Sequence, residues 1–305
     1  MIPKEILRKI RRIEIATSRL VSDVFAGQYH SVFKGQGIEF DEVREYQFGD
    51  DVRTIDWNVT ARTGRPYVKK YVEERELTVM ILVDLSASCR FASVNMLKSQ
   101  LAAELAATLA FSAVRNNDRA GLIVFTDKIE KFIPPRKGIR HVLRIIREAL
   151  YYKPQGRSTD IIAALEYLNK VTPRKTIAFL ISDFLGHTSG AQTDVQARLK
   201  KALTVVNKHH DVIAITLNDR REMRLPDCGI VALEDAENGE LVYVDSSNPR
   251  IVRQYERDNL ERVKRREQIF NAAGVDRVDV YTDISYSDAL IRFFAKRRRK
   301  RLLRT

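Results

Sequence analysis

Four short runs, Val79–Val83, Ala120–Phe125, Lys175–Ser182 and Val212–Leu217, are apolar almost from end to end. A strand with one wet face alternates apolar and polar residues; a near-continuous apolar run marks a strand covered on both faces, as in the parallel sheets of α/β proteins. Segments of helical period stand between them: the Ala- and Leu-rich Val94–Asn116, Gly138–Tyr151 with Val142, Ile145, Ile146 and Leu150 on one stripe, Ile161–Val171, and Asp194–Lys208. Lys128–Pro135 reads as a short strand closed by Pro134-Pro135. A long helix over Pro249–Ala273, ended by Gly274, a strand over Val275–Tyr281 and a terminal helix after Asp283 complete the alternation. The expected fold class is α/β, a doubly wound and mostly parallel sheet.

The flanks break this rhythm. Ile6, Ile10, Ile13, Leu20 and Val24 recur at helical spacing among Lys9, Arg11, Arg12 and Arg19, which predicts a basic amphipathic helix over Ile2–Phe25, packed on its own domain or laid on a membrane or partner. His30–Lys70 is dense in Gly, Asp, Arg and aromatics and ends in the alternating run Tyr67–Glu73, predicting a small β-rich lobe. Arg221–Asn248 holds two strand-like runs, Gly229–Leu233 and Leu241–Val244, joined by the turn-forming Glu237-Asn-Gly-Glu240, the pattern of a β-hairpin. The expected organisation is residues 1–75 as basic helix and β-rich lobe, 76–290 as the α/β domain with 221–248 a hairpin insertion, and 291–305 as a basic tail.

The formal charge of +13 is concentrated at one end. Arg292, Lys296, Arg297, Arg298, Arg299, Lys300, Arg301 and Arg304 supply eight positive charges with no acid among them, leaving about +5 elsewhere. Such an end can touch an anionic membrane face, RNA or an acidic partner, and can equally be merely solvated; it is not a nucleic-acid signature for the whole chain. Cys89 and Cys228 follow neither a disulfide nor a zinc spacing, so a reducing, cytoplasmic compartment is the simplest expectation. No apolar stretch approaches the ~18–20 residues that span a bilayer.

In an open parallel sheet the ligand crevice lies beyond the carboxyl ends of the strands. The residues that follow two of the apolar runs are Asp84 and Asp183, which would share a crevice if their strands are neighbours. After Asp84 come Leu85, Ser86, Ala87 and Ser88, and a tight loop can turn alternate side chains toward one centre, offering a carboxylate and two hydroxyls. These are hard oxygen donors, suited to Mg²⁺, or to Mn²⁺ or Ca²⁺, rather than to zinc.

This Asp-x-Ser-x-Ser arrangement resembles the metal-ion-dependent adhesion site of von Willebrand factor A domains, in which a Thr from a later loop and an Asp after a central strand complete the ligand set. Thr159, before the helix Ile161–Val171, and Asp183 stand in the order that the resemblance requires. The upstream segment Gly37–Asn58 (GIEFDEVREYQFGDDVRTIDWN), followed by Ala61-Arg62-Thr63, is similar to the signature of the bacterial family called domain of unknown function fifty-eight. That resemblance implies a von Willebrand factor A-like domain, the metal ligands Asp84, Ser86, Ser88, Thr159 and Asp183, and partnership with a MoxR-type AAA+ ATPase. Ser88-Cys89 replaces the common Ser-Met, with Cys89 expected as a buried packing residue. Arg157-Ser158-Thr159 replaces Gly-Gly-Thr, so either Ser158 or Thr159 could present the hydroxyl.

Each residue also has a plainer use. The aspartates can be loop residues, while Ser86, Ser88 and Thr159 can cap helices. Glu42, Arg44, Asp50, Asp51, Arg53, Asp56 and Arg62 alternate in sign and can form a structural ion-pair network around Tyr46 and Trp57. Gly35-Gln-Gly37 lacks a phosphate-loop pattern. Catalytic constellations are scarce: there is no Gly-x-Ser-x-Gly, and His30, His141, His187, His209 and His210 include no metalloprotease pair. The function expected is therefore a non-enzymatic adaptor that captures a partner carboxylate through its metal, supplied by a client or by the AAA+ ATPase. The alternatives are an Mg²⁺-dependent phosphoester hydrolase with Asp160 as base, or a module tethered to membrane or RNA by its basic end.

Overall fold

The structure, a computed structural model, describes residues 39–72, 76–93, 96–185, 192–237 and 239–302. The helix expected over Ile2–Phe25 and the Gly35-Gln-Gly37 segment lie outside the described residues. Among the described residues the central sheet has six strands: β3 (Thr78–Asp84), β4 (Arg119–Phe125), β5 (Ile129–Arg136), β6 (Ile177–Ser182), β7 (Asp211–Asn218) and β10 (Asp276–Tyr281). Their spatial order is β10-β7-β6-β3-β4-β5, with every pairing parallel except the hairpin of β4 with β5. Pro134 and Pro135 do not close β5 as expected: the strand runs on to Arg136, because at the edge of the sheet missing N–H donors are tolerated. Gly121 lets β4 approach β5 closely, for a Cβ there would fall 2.6 Å from Met80 Sδ and 3.0 Å from the Ile133 carbonyl oxygen.

The uniform apolarity of β3 has a direct packing cause. Val79, Ile81 and Val83 face one layer, against Leu101, Leu105 and Leu109 of α2 (Lys98–Arg115), Val142 and Ile146 of α3 (Ile139–Tyr151), and Phe294 of α8 (Tyr286–Leu302). Met80 and Leu82 face the other, against Leu165 and Leu168 of α4 (Ile161–Val171), Leu203 and Val206 of α5 (Gln192–His209), and Phe270 of α7 (Pro249–Ala273). All five β3 side chains from Val79 to Val83 are wholly buried, each contributing roughly 1.5–3 kcal/mol of transfer free energy. This is a doubly wound α/β fold, as the strand pattern predicts.

Two smaller antiparallel pairs flank it. β1 (Glu39–Glu45) pairs with β2 (Tyr67–Val72), and the connection between them contains α1 (Trp57–Thr63), capped by the Asp56 carboxylate and closed by Gly64 at φ 72°. β8 (Ile230–Glu234) pairs with β9 (Leu241–Asp245) as the expected hairpin. In the first pair Arg44 forks onto Asp50 at 2.7 and 2.9 Å, and Asp51 caps a short three-ten turn. The charges are thus partly structural, but they do not enclose the tryptophan: Trp57 is 69% exposed, and Phe48 is exposed too. The basic residues expected as a tail over 291–305 continue α8 as far as Leu302, and there Arg297 pairs with Asp211 and Asp276. No helix among the described residues is long and apolar enough to cross a membrane.

At the carboxyl ends of the strands, buried Asp219 gathers three loops. It accepts hydrogen bonds from Ser93 N (3.0 Å) and Oγ (2.5 Å) after β3, from Thr282 Oγ1 (2.7 Å) after β10, and from Arg221 N (2.9 Å) on α6 (Arg220–Met223). Burial alone would raise its pKa, but these donors outweigh it and hold the carboxyl below its ordinary 3.8. A depressed folded-state pKa gives stability that is present above the unfolded value and lost as pH falls through the folded one. Asp219→Ala should cost about 2–3 kcal/mol in urea unfolding at neutral pH, with a smaller difference from the parent chain in strongly acidic buffer.

Candidate metal centre

Asp84 and Asp183 end adjacent strands, β3 and β6, so the parallel register carries both carboxylates to the same edge of the sheet. Both are buried. A carboxylate oxygen of each and the Cys89 sulfur lie within 4.8 Å of one another. Asp84 Oδ1 accepts from Ser86 N at 2.9 Å and Oδ2 from Ser182 Oγ at 2.6 Å, leaving lone pairs free on both oxygens. Burial, followed by the nearby Asp183 charge, pushes Asp84 up to about 7. Two carboxylates held this way repel each other unless protonated or bridged by a cation.

Ser86 opens a three-ten turn over Ala87–Arg90 without using its hydroxyl as a cap; instead its Oγ lies 3.0 Å from Ser88 Oγ. Ser86, which also donates to Asp84 from its backbone N–H, thus holds the two hydroxyls together. Burial and then the two acids push the Cys89 thiol upward, so it stays protonated as a packing residue beside hard oxygen donors.

Thr159 comes from a separate loop that is fastened to this one. Ala87 N donates to the Arg157 carbonyl at 2.9 Å, and Asp160 N donates to the Thr126 carbonyl at 2.8 Å. Glu130 on β5 accepts from Gln155 N at 2.9 Å and Gly156 N at 2.8 Å, fixing the same loop from behind. Thr159 does not cap α4; that is done by Asp160, whose carboxylate accepts from Ala163 N at 2.9 Å. The buried Thr159 hydroxyl donates instead to Glu237 Oε1 at 3.2 Å. Gly156 is needed at its position because a Cβ would fall 1.8 Å from Asp127 Oδ1 and 2.2 Å from Thr126 Oγ1. Gly156→Ala should destabilise the chain by about 1–3 kcal/mol and raise amide exchange over residues 153–160 before other segments.

Asp183 is held on every side. Oδ1 accepts from Leu185 N at 3.1 Å, Oδ2 from Lys98 Nζ at 3.0 Å, and the backbone carbonyl from Arg266 of α7 at 3.0 Å. Phe184 follows at φ 56°, an unfavourable backbone for a residue with a Cβ; Ser182 Oγ accepts its N–H, and its ring packs edge-on against Phe270. Lys98, wholly buried at the first position of α2, also reaches Glu222 Oε1 on α6 at 2.5 Å. Desolvation works against its charge, but Asp183 and Glu222 prevail and raise its pKa. Lys98, Ser182, Glu222 and Arg266 were not singled out by the sequence pattern. Only Lys98 carried a hint, since a cation at the amino end of a buried, Ala-rich helix opposes the helix dipole and calls for an acidic partner.

The doubly wound sheet has a von Willebrand factor A-like fold, with the Asp-x-Ser-x-Ser loop and a second aspartate at its carboxyl edge. The family model described as "protein of unknown function DUF58" matches residues 42–265, and the chain belongs to that family. The uncharacterized protein Rv1480 of Mycobacterium tuberculosis is 31% identical over 292 residues, covering 95% of this chain and 89% of that protein. The uncharacterized protein Mb1516 of Mycobacterium bovis matches to the same extent, at 31% identity. Among solved structures, the conserved hypothetical protein BatB from Bacteroides thetaiotaomicron is 18% identical with a TM-score of 0.47, covering 73% of this chain and 99% of that one. The VWA domain of SpRpn10 is 12% identical with a TM-score of 0.41, covering 71% and 94%.

Proposed function

We propose that this chain is a non-enzymatic, cytoplasmic adaptor that uses a divalent cation, Mg²⁺ or another hard ion such as Mn²⁺ or Ca²⁺, to bind a carboxylate on a protein partner. Asp84, Ser86, Ser88 and Thr159 would hold the ion, with Asp183 completing the set; when bound, the cation supplies a Lewis-acidic point at the crevice centre. The observation that carries this reading is the pair of buried carboxylates on neighbouring strand ends, accompanied by two hydroxyls that do not cap helices. The donors are all hard oxygens, the choice of Mg²⁺ rather than of zinc.

The residues themselves do the positioning. Ser182 and the Ser86 amide orient the Asp84 carboxylate, Lys98 and the Leu185 amide orient Asp183, and the tie from Ala87 to Arg157 keeps the threonine loop beside the serine loop. A partner Glu or Asp at an open position would form a short, directional contact surrounded by loop surface, the anatomy of an interface hot spot. Asp160, the base that the hydrolase alternative invokes, spends Oδ1 on capping α4, which favours the adaptor reading. The family resemblance supplies the partner: a MoxR-type AAA+ ATPase, whose remodelling of a client complex this chain would direct.

The test is co-purification with a MoxR-type AAA+ ATPase, with and without chelator, using the parent chain and Asp84→Ala. Capture that EDTA and the substitution both abolish is the expected result. Full capture by Asp84→Ala in EDTA would end the metal-dependent reading.

A further inference from the structure

A cavity of about 1040 Å³ opens at the carboxyl edge of the sheet, between Ser93 in the loop after β3, α6 and the amino end of α7. Its lining is divided. Leu225 is buried and Met223, Pro226 and Val252 are half-buried, so apolar side chains form its inner wall. Arg220, Arg221, Arg224 and Arg253 are exposed and form its rim. Arg220 and Arg224 each spend Nε on one acid, Asp283 at 2.7 Å and Glu256 at 3.1 Å. Arg253 spends only Nε, on the Pro249 carbonyl at 3.0 Å, and the Arg221 guanidinium has no partner among the described residues.

The fold's own contacts do not account for this concentration of guanidinium groups. α6 is anchored by Asp219, which accepts from Arg221 N, and by Glu222, which turns inward to Lys98. The first turn of α7 holds no acid, although the partial positive charge of a helix amino end favours one, and Arg253 folds back onto its Pro249 carbonyl instead. Cations gathered about a helix amino end repel one another until an anion is placed among them. A phosphate chain is a poor match, because Asp227, Glu256 and Asp283 line the same groove and would repel it, and the apolar wall offers it nothing. A peptide answers both halves: carboxylates pair with the free guanidinium groups while an apolar side chain fills the wall between them.

We propose that the groove between α6 and α7 is a docking site for an extended segment of a partner protein in which apolar side chains are flanked by acids. Arg221 and Arg253 take the acids, and Met223, Leu225 and Val252 take the apolar side chains. The groove holds this segment whether or not a cation is bound at Asp84, so it is a second point of contact and not a part of the metal centre. The two are nonetheless neighbours. Glu222 of α6 meets Lys98, which meets Asp183, so α6 stands between the groove and the crevice.

The probe is a labelled peptide, Glu-Glu-Leu-Leu-Glu-Glu, followed by fluorescence anisotropy with the full chain in EDTA, which removes the metal centre from the measurement. The expected result is binding that disappears for the counterpart with Gln in place of every Glu. It should weaken about tenfold with each of Arg221→Gln and Arg253→Gln, the loss of a hydrogen bond to a charged group. Arg140→Gln together with Arg174→Gln, both exposed and away from the groove lining, removes the same charge as the paired groove variant and should leave binding unchanged. In the parent chain the peptide should slow amide exchange over residues 220–227 and 246–256. No binding by the parent chain, equal weakening in the charge-matched control, or tighter binding of an oligouridylate RNA would overturn the docking site. Each of these outcomes leaves the metal-dependent reading standing, since chelation and Asp84→Ala test that separately.

Discussion

Lys98→Met should be the most damaging single substitution at this site, lowering stability by about 3–5 kcal/mol in urea unfolding at neutral pH. The ammonium is wholly buried between Asp183, itself 1% exposed, and Glu222. Methionine fills the space of the lysine stem but leaves both carboxylates without the ammonium that they pair with, beside the Asp84 carboxylate. The loss is that of uncompensated acids rather than of packing, so its origin can be tested by removing one of them. Lys98→Met combined with Glu222→Gln should recover a substantial part of the deficit. A Lys98→Met chain within about 1 kcal/mol of the parent would mean that water reaches these carboxylates and that the lysine is not their counter-ion.

Lys98 also marks where sequence reading stops. The sheet was legible because burial on both faces imposes apolarity at every strand position, and the boundaries over Ile161–Val171 and Pro249–Ala273 agree with the structure because caps and terminators sit in the sequence itself: Asp160, Asn248, Gly274. Asp84 and Asp183 were legible for a related reason, since a charged residue at the end of a buried strand lies at the crevice. The site's supports are of a different kind. Lys98 meets Asp183 across 85 residues and Glu222 across 124, and the contact of Thr159 with Glu237 spans 78; no local periodicity records such pairings. The upstream signature misleads in another way. Its alternating charges suggest a network closed around the aromatics, yet Asp51 and Asp56 are occupied by their own backbone as caps and leave Trp57 facing solvent. Short-range capping competes effectively with longer-range pairing because it orders fewer groups for each bond formed.

Asp84→Asn should reverse the order of stability depending on the cation present. In chelator the variant should match or exceed the parent, because it removes one of two buried carboxylates that lie close together, while the amide oxygen can still accept from Ser86 N. The gain is limited by Ser182, whose hydroxyl gives Asp84 a 2.6 Å hydrogen bond and would have to rotate to accept from the new amide. In Mg²⁺ the parent should gain stability as the logarithm of ion concentration, by about 2.7 kcal/mol at a hundred times the dissociation constant, whereas the variant gains little. Unfolding curves of both chains in EDTA and across a Mg²⁺ series would therefore cross. The crossing separates two accounts of the same geometry: a structural hydrogen-bond cluster predicts that Asp84→Asn is destabilised equally in both buffers, and a cation site predicts that the penalty exists only when the ion is there to be lost. Parallel curves, with the parent indifferent to Mg²⁺, Mn²⁺ and Ca²⁺, would assign these carboxylates to holding the loops together and nothing more.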